Sequence, residues 1–333
     1  METGHYGIRK EHKITPNKVN PADRCAPADF FVRFLEIIES VIMDKQQLQY
    51  SVNKEVKRYI PEHAWESTVA IVIVHNQGVY QFGSGILLRI ADESFVVTAG
   101  HVIKEAYKYN KTLGITATNE SFIAVPGEWS CSSEGQYNID NDPFDVAIYN
   151  IPQDEVHKLD GRIFLHLSDI DFELQPKTTV YTLFGYPEVW SKPSTSCSEK
   201  LHLKPFQYTT ISFDRDTRYL AYYQERFHIL LDAQLEYSTT DEGTQATFKD
   251  IKGNSAPFPQ GLGGISGCSV WRIGDLDVPF EDWPQRQPKI VAVQTGVYHS
   301  SQAIVATRWI AVSTLIHEAF PKLRPAMDLL WPY

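Results

Sequence analysis

The sequence has few cysteines and no long hydrophobic run. Its four cysteines lie far apart in 333 residues and form no CxxC pair: Cys25, Cys131, Cys197 and Cys268. A small secreted domain held by disulfides needs a denser framework, so we expect free thiols. No stretch approaches the roughly 18 apolar residues of a transmembrane helix. The first residues also lack the apolar segment of a signal peptide. We therefore expect a cytoplasmic protein with no membrane contact.

Positive charge is also scarce. The formal net charge is −10, and no basic stripe is interleaved with aromatic residues. This balance argues against nucleic acids and anionic membranes as partners. The eleven histidines include no HExxH and no other two-histidine metal spacing, so we expect no metal ion. A dinucleotide fingerprint beginning at Gly261 would need glycine where Ser266 stands. We expect no cofactor.

Apolar residues recur at helical spacing in two N-terminal stretches. They are Phe30, Phe34, Ile37, Ile38, Val41 and Ile42 in the first, and Leu48, Val52, Val56 and Ile60 in the second. Asp29 is placed as an N-cap, and Pro61 ends the second stretch. The pattern predicts an irregular arm followed by a helical extension over residues 1–60 with one apolar face. We expect this face to pack on the chain's own domain; the alternative is that it binds a partner.

After Pro61 the pattern changes to short apolar runs separated by turns. The predicted strands are 68–74, 79–90 and 94–98 in the first half, then 179–184, 205–213, 227–236, 268–273, 290–297 and 303–312 in the second. Residues 150–177 are interpreted as a connection, and 313–320 as a short C-terminal helix. Strands with turn signals about every ten residues favour an all-β sandwich or barrel.

Three stretches carry residues suited to one chemistry. VVTAGHV ends a predicted strand at His101, DPFDVAIYNI places Asp145 before another, and GLGGISGCSVW surrounds Ser266 with glycines. Alone, each residue has an ordinary structural explanation as a strand end, a turn or a loop. Together they supply a hydroxyl, an imidazole to take its proton, and a carboxylate to orient the imidazole.

The order of these motifs resembles that of trypsin-like (chymotrypsin-fold) serine peptidases. It is nearer to the intracellular HtrA-like or bacterial trypsin-like branch than to secreted enzymes. GSG at 83–85, TAGH at 98–101, DVA at 145–147 and GISG at 264–267 follow the family's order, and FGYP at 184–187 and the tail IVATRWIAVSTLI also resemble it. The resemblance covers residues 64–320. It implies two six-stranded antiparallel β-barrels, over 61–160 and 161–333, the second ending in a short C-terminal helix. The N-terminal helical extension of residues 1–60 lies outside the resemblance.

The resemblance also implies roles for individual residues. Ser266 would be the nucleophile, His101 the general base and then acid, and Asp145 the orienting carboxylate. The backbone N–H groups of Gly264 and Ser266 would form the oxyanion hole. Ile265 stands where secreted relatives carry an aspartate that binds a freshly cut N-terminus, so activation of that kind is not expected.

Specificity is predicted from the family's pocket positions. Substrate-binding residues would be Gln260 at the pocket floor, and Gln294, Thr295, Gly296 and Ile304 around it. The neutral Gln260 and the open wall at Gly296 favour cleavage after a small or medium apolar residue. Strand 292–296 would pair with the substrate backbone.

The sequence leaves several alternatives open. The substrate would be a protein or peptide, with a dedicated partner protein as one candidate. Such a partner, or the substrate, would order the glycine-rich loop 261–267; the alternative is a site that is always formed. A catalytically silent peptide-binding module and an esterase with the same triad are also consistent with the motifs. The oligomeric state is undetermined by the sequence.

Overall fold

The structure is a computed structural model. It describes residues 47–48, 51–75, 78–108, 111–117, 121–133, 142–188, 192–193, 201–203, 205–233, 248–249, 255–256, 263–285 and 287–329. The chain divides into two compact units, Met1–Gln47 and Leu48–Tyr333. The first predicted helical stretch, around residues 30–42, lies outside the described residues. The second is confirmed as helix α1, residues 51–59.

The first sheet lies in the N-terminal half of the second unit. Its seven strands are β1 (Thr68–His75), β2 (Gly78–Ile90), β3 (Glu93–Ala99), β4 (Thr112–Thr116), β5 (Phe122–Ala124), β6 (Ser130–Cys131) and β7 (Val146–Ile151). They are antiparallel in the order β5-β4-β1-β2-β3-β7-β6. The sheet thus has one strand more than the six expected.

The second sheet has six antiparallel strands and forms a barrel. They are β8 (Thr179–Gly185), β11 (Phe206–Ile211), β12 (His228–Asp232), β15 (Ser269–Asp275), β16 (Lys289–Tyr298) and β17 (Ala303–Arg308), in the order β11-β8-β15-β16-β17-β12. An antiparallel bridge between Ser212 and Leu231 joins the two outer strands. The N–H of Phe213 also donates to the carbonyl of Leu230 at 2.9 Å. These bonds close the sheet.

Short elements complete the fold. Two hairpins pair β9 (Lys192–Pro193) with β10 (Leu201–His202), and β13 (Phe248–Lys249) with β14 (Ser255–Ala256). The other α-helices are α2 (His63–Glu66), α3 (Gly100–Lys108), α4 (Gln153–Val156), α5 (Trp309–Ala319) and α6 (Arg324–Asp328). The 3₁₀ helices are His157–Leu159, Leu167–Asp169, Phe280–Gln285, His299–Ser301 and Pro321–Leu323.

Strand β3 shows how the two sheets share their cores. Its residues are buried from Ser94 to Ala99. Because successive side chains of a strand point to opposite faces, Val96 packs inside the first sheet while Phe95 and Val97 face the core between the sheets. That central core also contains residues of the second sheet, of α5 and of α1: Phe184, Trp271, Val312, Ile316, Val52 and Val56. Helix α1 of the extension therefore packs on its own domain, as expected.

The predicted all-β fold with two antiparallel sheets is confirmed, and the second sheet closes into a barrel. The predicted boundary between the last strand and the C-terminal helix is wrong. Strand β17 ends at Arg308, and helix α5 begins at Trp309 instead of Ser313. The apolar run continues across this point, so its pattern fits a strand. In the structure, however, Trp309, Val312 and Ile316 bury one helical face.

The domain boundaries after residues 60 and 160 stay a prediction. Among the described residues, no helix combines the length and apolar character needed to cross a membrane.

Candidate active site

His101 lies near the start of helix α3, not at the end of a strand as expected. Strand β3 ends at Ala99, and Gly100 begins the helix. The next residues bury Val102, Ile103 and Ala106 at helical spacing, a signal that the interpretation as a strand end overlooked. The helix leaves the imidazole 26% exposed, so His101 is within reach of solvent and of a bound molecule.

Asp145 is bonded to His101 twice. One carboxylate oxygen, Oδ1, accepts the backbone N–H of His101 at 2.7 Å, and the other, Oδ2, lies 2.6 Å from Nδ1 of the imidazole. The N–H of Gly100 donates to the carbonyl of Asp145 at 2.8 Å. The two residues are 44 positions apart in sequence, and the fold brings them together. With Nδ1 bonded to Asp145, Nε2 is the imidazole nitrogen through which the ring could exchange a proton with a substrate or a nucleophile.

Charge and burial shift the pKa values of this pair. Burial disfavours the charged imidazolium, but the hydrogen bond and charge of Asp145 outweigh it and raise the pKa of His101 above 6.5. Burial also raises the pKa of Asp145, against the opposing effect of His101. The arrangement stabilises a proton on His101 beside the carboxylate, which is what a general base requires after it has accepted one.

The backbone of Asp145 is in the left-handed region, with φ +49°. For a residue other than glycine this conformation is strained unless its surroundings hold it. Asp142 Oδ1 accepts the N–H of Asp145 at 3.0 Å and the hydroxyl of Ser132 at 2.6 Å. Its Oδ2 forms an ion pair with Lys104 at 3.1 Å. No motif in the sequence predicted this cluster.

The loop that carries Ser266 is held by backbone bonds within the second barrel. Gly264 and Gly267 have φ of +87° and +89°, values that explain why glycine stands at both positions. The N–H of Gly267 donates to the carbonyl of Gln294 at 2.7 Å, and that of Cys268 donates to the carbonyl of Ile265 at 2.8 Å. The side chain of Ile265 is fully buried in the barrel core.

The first sheet fixes the other side of the same loop. The carbonyl of Ser266 accepts the backbone N–H of Ser84 at 2.8 Å. The carbonyl of Gly264 accepts the Ser84 hydroxyl at 2.9 Å and the amide of Gln81 at 2.8 Å. A β-carbon added to Gly267 would lie 3.0 Å from the backbone nitrogen of Ala99. The Ser266 loop therefore lies against the end of β3, two residues before His101.

The peptide between Gly263 and Gly264 is also oriented. Its carbonyl oxygen accepts the N–H of Glu188 at 2.9 Å. In a planar trans peptide the N–H points opposite to the C=O, so the N–H of Gly264 faces away from Glu188. A backbone N–H directed by such a bond is suited to bind an oxyanion.

The residues predicted to bind substrate are only partly brought together. Gln260 lies outside the described residues. Gln294 is buried beside the Ser266 loop, and Thr295 sits at a bulge of β16 with its hydroxyl 3.2 Å from that of Thr307. Of the residues that the structure describes, only Val305 comes close to Gly296: its Cβ would lie 3.9 Å from a β-carbon added to the glycine. Ile304 is fully buried in the core of the second barrel.

Two cysteines fall within the described residues, and both are free. Burial raises the pKa of Cys131 to about 11 and raises that of the fully buried Cys268 well above its ordinary value. A thiol is nucleophilic only as the thiolate, so neither cysteine is prepared to attack a substrate. Within the described part of the chain, no group of three histidine, cysteine or acidic residues is arranged to hold a metal ion.

Comparisons with known proteins reveal structural similarity alone. No protein-family model and no curated protein sequence matches this chain. Among solved structures, it is similar to the thermostable serine protease AL20 from an extremophilic microorganism, with 13% identity and a TM-score of 0.44 over 77% of this chain and 97% of that one.

Two further solved structures are similar to the same extent. A Glu endopeptidase in complex with MPD has 14% identity and a TM-score of 0.43, over 78% of this chain and 94% of that one. The protease Anisep from Arthrobacter nicotinovorans has 14% identity and a TM-score of 0.42, over 78% and 97%. Similarity at this level does not assign an activity to this chain.

Proposed function

We propose that this chain is a serine endopeptidase that cleaves proteins or peptides through an acyl-enzyme intermediate. The observation that carries the proposal is the pair of hydrogen bonds between Asp145 and His101, at 2.7 and 2.6 Å, beside the loop of Ser266. Ser266 is the nucleophile, His101 the general base and acid, and Asp145 the residue that orients the imidazole and stabilises its protonated form.

In the proposed reaction, the Ser266 hydroxyl attacks the peptide carbonyl while its proton passes to Nε2 of His101. The backbone N–H groups of Gly264 and Ser266 bind the oxyanion that forms. His101 then gives the proton to the leaving amine, and water, activated by His101, attacks the acyl-enzyme and releases Ser266. The loop geometry at Gly263 and Gly264 supports this role for the Gly264 N–H.

The substrate is proposed to lie along strand β16 beyond Gln294. Up to that residue β16 is covered by β15 and by the bonds to Gly267 and Cys268. From Gly296 to Tyr298 the pairs formed by β16 within the described residues are with β17, so its other edge is a candidate for β-augmentation. Cleavage after a small or medium apolar residue, with Gln260, Gln294, Thr295, Gly296 and Ile304 near the pocket, completes the proposal.

The same proposal covers the branch of peptidases, the cellular location and the control of the activity. Free Cys131 and Cys268 are consistent with an intracellular peptidase of the HtrA-like or bacterial trypsin-like kind, in the cytoplasm. Ile265, buried where a secreted enzyme has its activation aspartate, supports activity without cleavage of a precursor. A dedicated protein substrate would then limit what is cut.

Fluorophosphonate labelling tests the proposal. The wild-type protein should be labelled on Ser266, found by peptide mapping, and should cleave a mixed peptide library. S266A should lose the label, and H101A should lose roughly 10⁶-fold in rate. S168A, a change at an exposed serine, is the control and should react like the wild type. Absence of both labelling and cleavage would overturn the proposal; peptide binding without reaction would indicate the silent module.

A further inference from the structure

Each of the four residues from Asp142 to Asp145 takes part in a hydrogen bond that helps to fix the segment. The carbonyl of Pro143 lies 2.7 Å from Nε2 of the buried His228, and the carbonyl of Phe144 accepts the hydroxyl of Thr307 at 2.6 Å. His228 and Thr307 belong to the second barrel, whereas the segment leads into strand β7 of the first. The carboxylate of Asp145 is therefore positioned by contacts from both sheets.

Asp142 supplies the bonds that hold Asp145 itself. Its Oδ1 accepts the N–H of Asp145 directly, and the N–H of Val146 donates at 3.0 Å to the Ser132 hydroxyl that is bonded to the same oxygen. The N–H of the strained Asp145 and that of the next residue are thus fixed by Asp142, one directly and one through Ser132. A left-handed aspartate held in this way can present both carboxylate oxygens to His101.

The buried charge of Asp142 is balanced by Lys104. The Asp142 side chain has no solvent exposure and that of Lys104 has 7%. The ammonium also donates to the hydroxyl of Ser133 at 2.6 Å. Lys104 follows His101 by three positions on α3, so one helix face directs the imidazole to Asp145 and the ammonium to Asp142.

We infer that Asp142, with Lys104 as its counter-ion, is a positioning residue for the Asp145–His101 pair. This inference rests on the proposed function and adds residues that act through Asp145 without touching the substrate. Asp142 keeps Asp145 in the left-handed conformation, and Lys104 cancels a negative charge that would otherwise stand beside the pair. Hydrogen bonds to the Asp142 carboxylate also lower its pKa despite burial, which keeps the acceptor ionised.

The other charged and titratable groups near the pair are few in the described part of the chain. Glu105 on α3 acts on the charge of His101, Cys131 lies near Asp142, and His228 contacts Pro143. None is bonded to the Asp145 N–H. A change confined to Asp142 and Lys104 can therefore be followed at His101 with these groups left in place.

The first test separates charge from structure. D142N removes one negative charge near His101 while Lys104 keeps its positive charge, so the NMR titration midpoint of His101 should move to lower pH. K104M leaves Asp142 unbalanced and should move it to higher pH, while D142N/K104M should return it close to the wild-type value. H101A identifies the resonance. Midpoints that shift in the same direction in both single variants, or in neither, would overturn the inference.

The second test isolates the bond to the Asp145 N–H at constant charge. In D142N/K104M the asparagine oxygen can still accept it, whereas in D142A/K104M nothing replaces the acceptor. We expect fluorophosphonate to label D142A/K104M on the order of 10-fold more slowly than D142N/K104M. Circular dichroism should show that both variants are equally folded. Equal rates would overturn the inference. If the wild type fails to react at all, the proposed function fails, and the NMR titrations still decide the role of Asp142.

Discussion

Gly267 packs against the carbonyl oxygen of Ser84 with no room for a side chain. A β-carbon on Gly267 would lie 2.1 Å from that oxygen and 2.2 Å from the Thr98 hydroxyl. Ser84 also donates its N–H to the carbonyl of Ser266. The backbone next to Ser266 thus packs against the first sheet with no space for a side chain. The position of the proposed nucleophile depends on this contact.

The first prediction compares two glycines of similar backbone conformation. Gly267 and Gly161 have φ of +89° and +85°, but a β-carbon on Gly161 would meet no atom of the described residues within 4 Å. G161A should therefore cost only the conformational strain, about 1–2 kcal/mol of unfolding free energy. G267A adds a clash with backbone and should cost more than about 3 kcal/mol. Urea unfolding measures both; equal losses would show that the contact with Ser84 is not tight.

Sequence patterns located His101 and Asp145 because each lies in a short motif beside a strand, His101 after β3 and Asp145 before β7. The same patterns could not reveal the ion pair of Lys104 and Asp142. These residues are 38 positions apart, and a lysine or an aspartate alone usually indicates a solvated surface. They become partners only because α3 packs against the turn before β7 in the folded chain.

The end of strand β17 illustrates a second limit. Alternation and helical spacing are hard to distinguish in a continuous apolar run, and here Trp309 and Val312 belong to α5. Packing in the core determines that this segment is helical, because both side chains fill the space between the two sheets.

The second prediction concerns the pH dependence of Ser266. His101 must be neutral to accept a proton, and its pKa is raised by Asp145. The rate of fluorophosphonate labelling should therefore rise with pH through a midpoint above 6.5, the ordinary value for histidine. Rates measured at constant ionic strength between about pH 5 and 9 test this, and a midpoint below 6.5 would contradict it.

A companion variant tests the cause of that shift. D145N removes the carboxylate charge and leaves burial as the main influence on the imidazole, so the pKa of His101 should fall. An NMR titration of the histidine resonances detects this without any turnover. N150D, also in the first sheet but on β7 beside Glu93, adds a charge elsewhere and should leave the His101 midpoint nearly unchanged.

The third prediction concerns the thiols. Cys268 is fully buried and its pKa is raised, so it should resist iodoacetamide in the folded protein and react after denaturation. Peptide mapping by mass spectrometry distinguishes it from the other cysteines. C268A should keep fluorophosphonate reactivity at Ser266. A large loss of labelling in C268A with unchanged stability would point instead to chemistry at the thiol.

The fourth prediction addresses how the oxyanion loop is held. Ile265 is fully buried in the second barrel, between Gly264 and Ser266. I265A should leave a cavity and lower the free energy of unfolding by about 2–5 kcal/mol. I163A, at a side chain 40% exposed, is the control and should cost within about 0.5 kcal/mol.

If the buried side chain anchors the loop, I265A should also slow fluorophosphonate labelling at a temperature where the variant is fully folded, and I265V should lie between it and the wild type. The reason is that residues 263–267 already form backbone hydrogen bonds within this chain, so we expect Ile265 rather than a bound partner to set their position. Labelling that stays unchanged in I265A, or that accelerates strongly in the wild type when a substrate protein is added, would favour a loop ordered by binding.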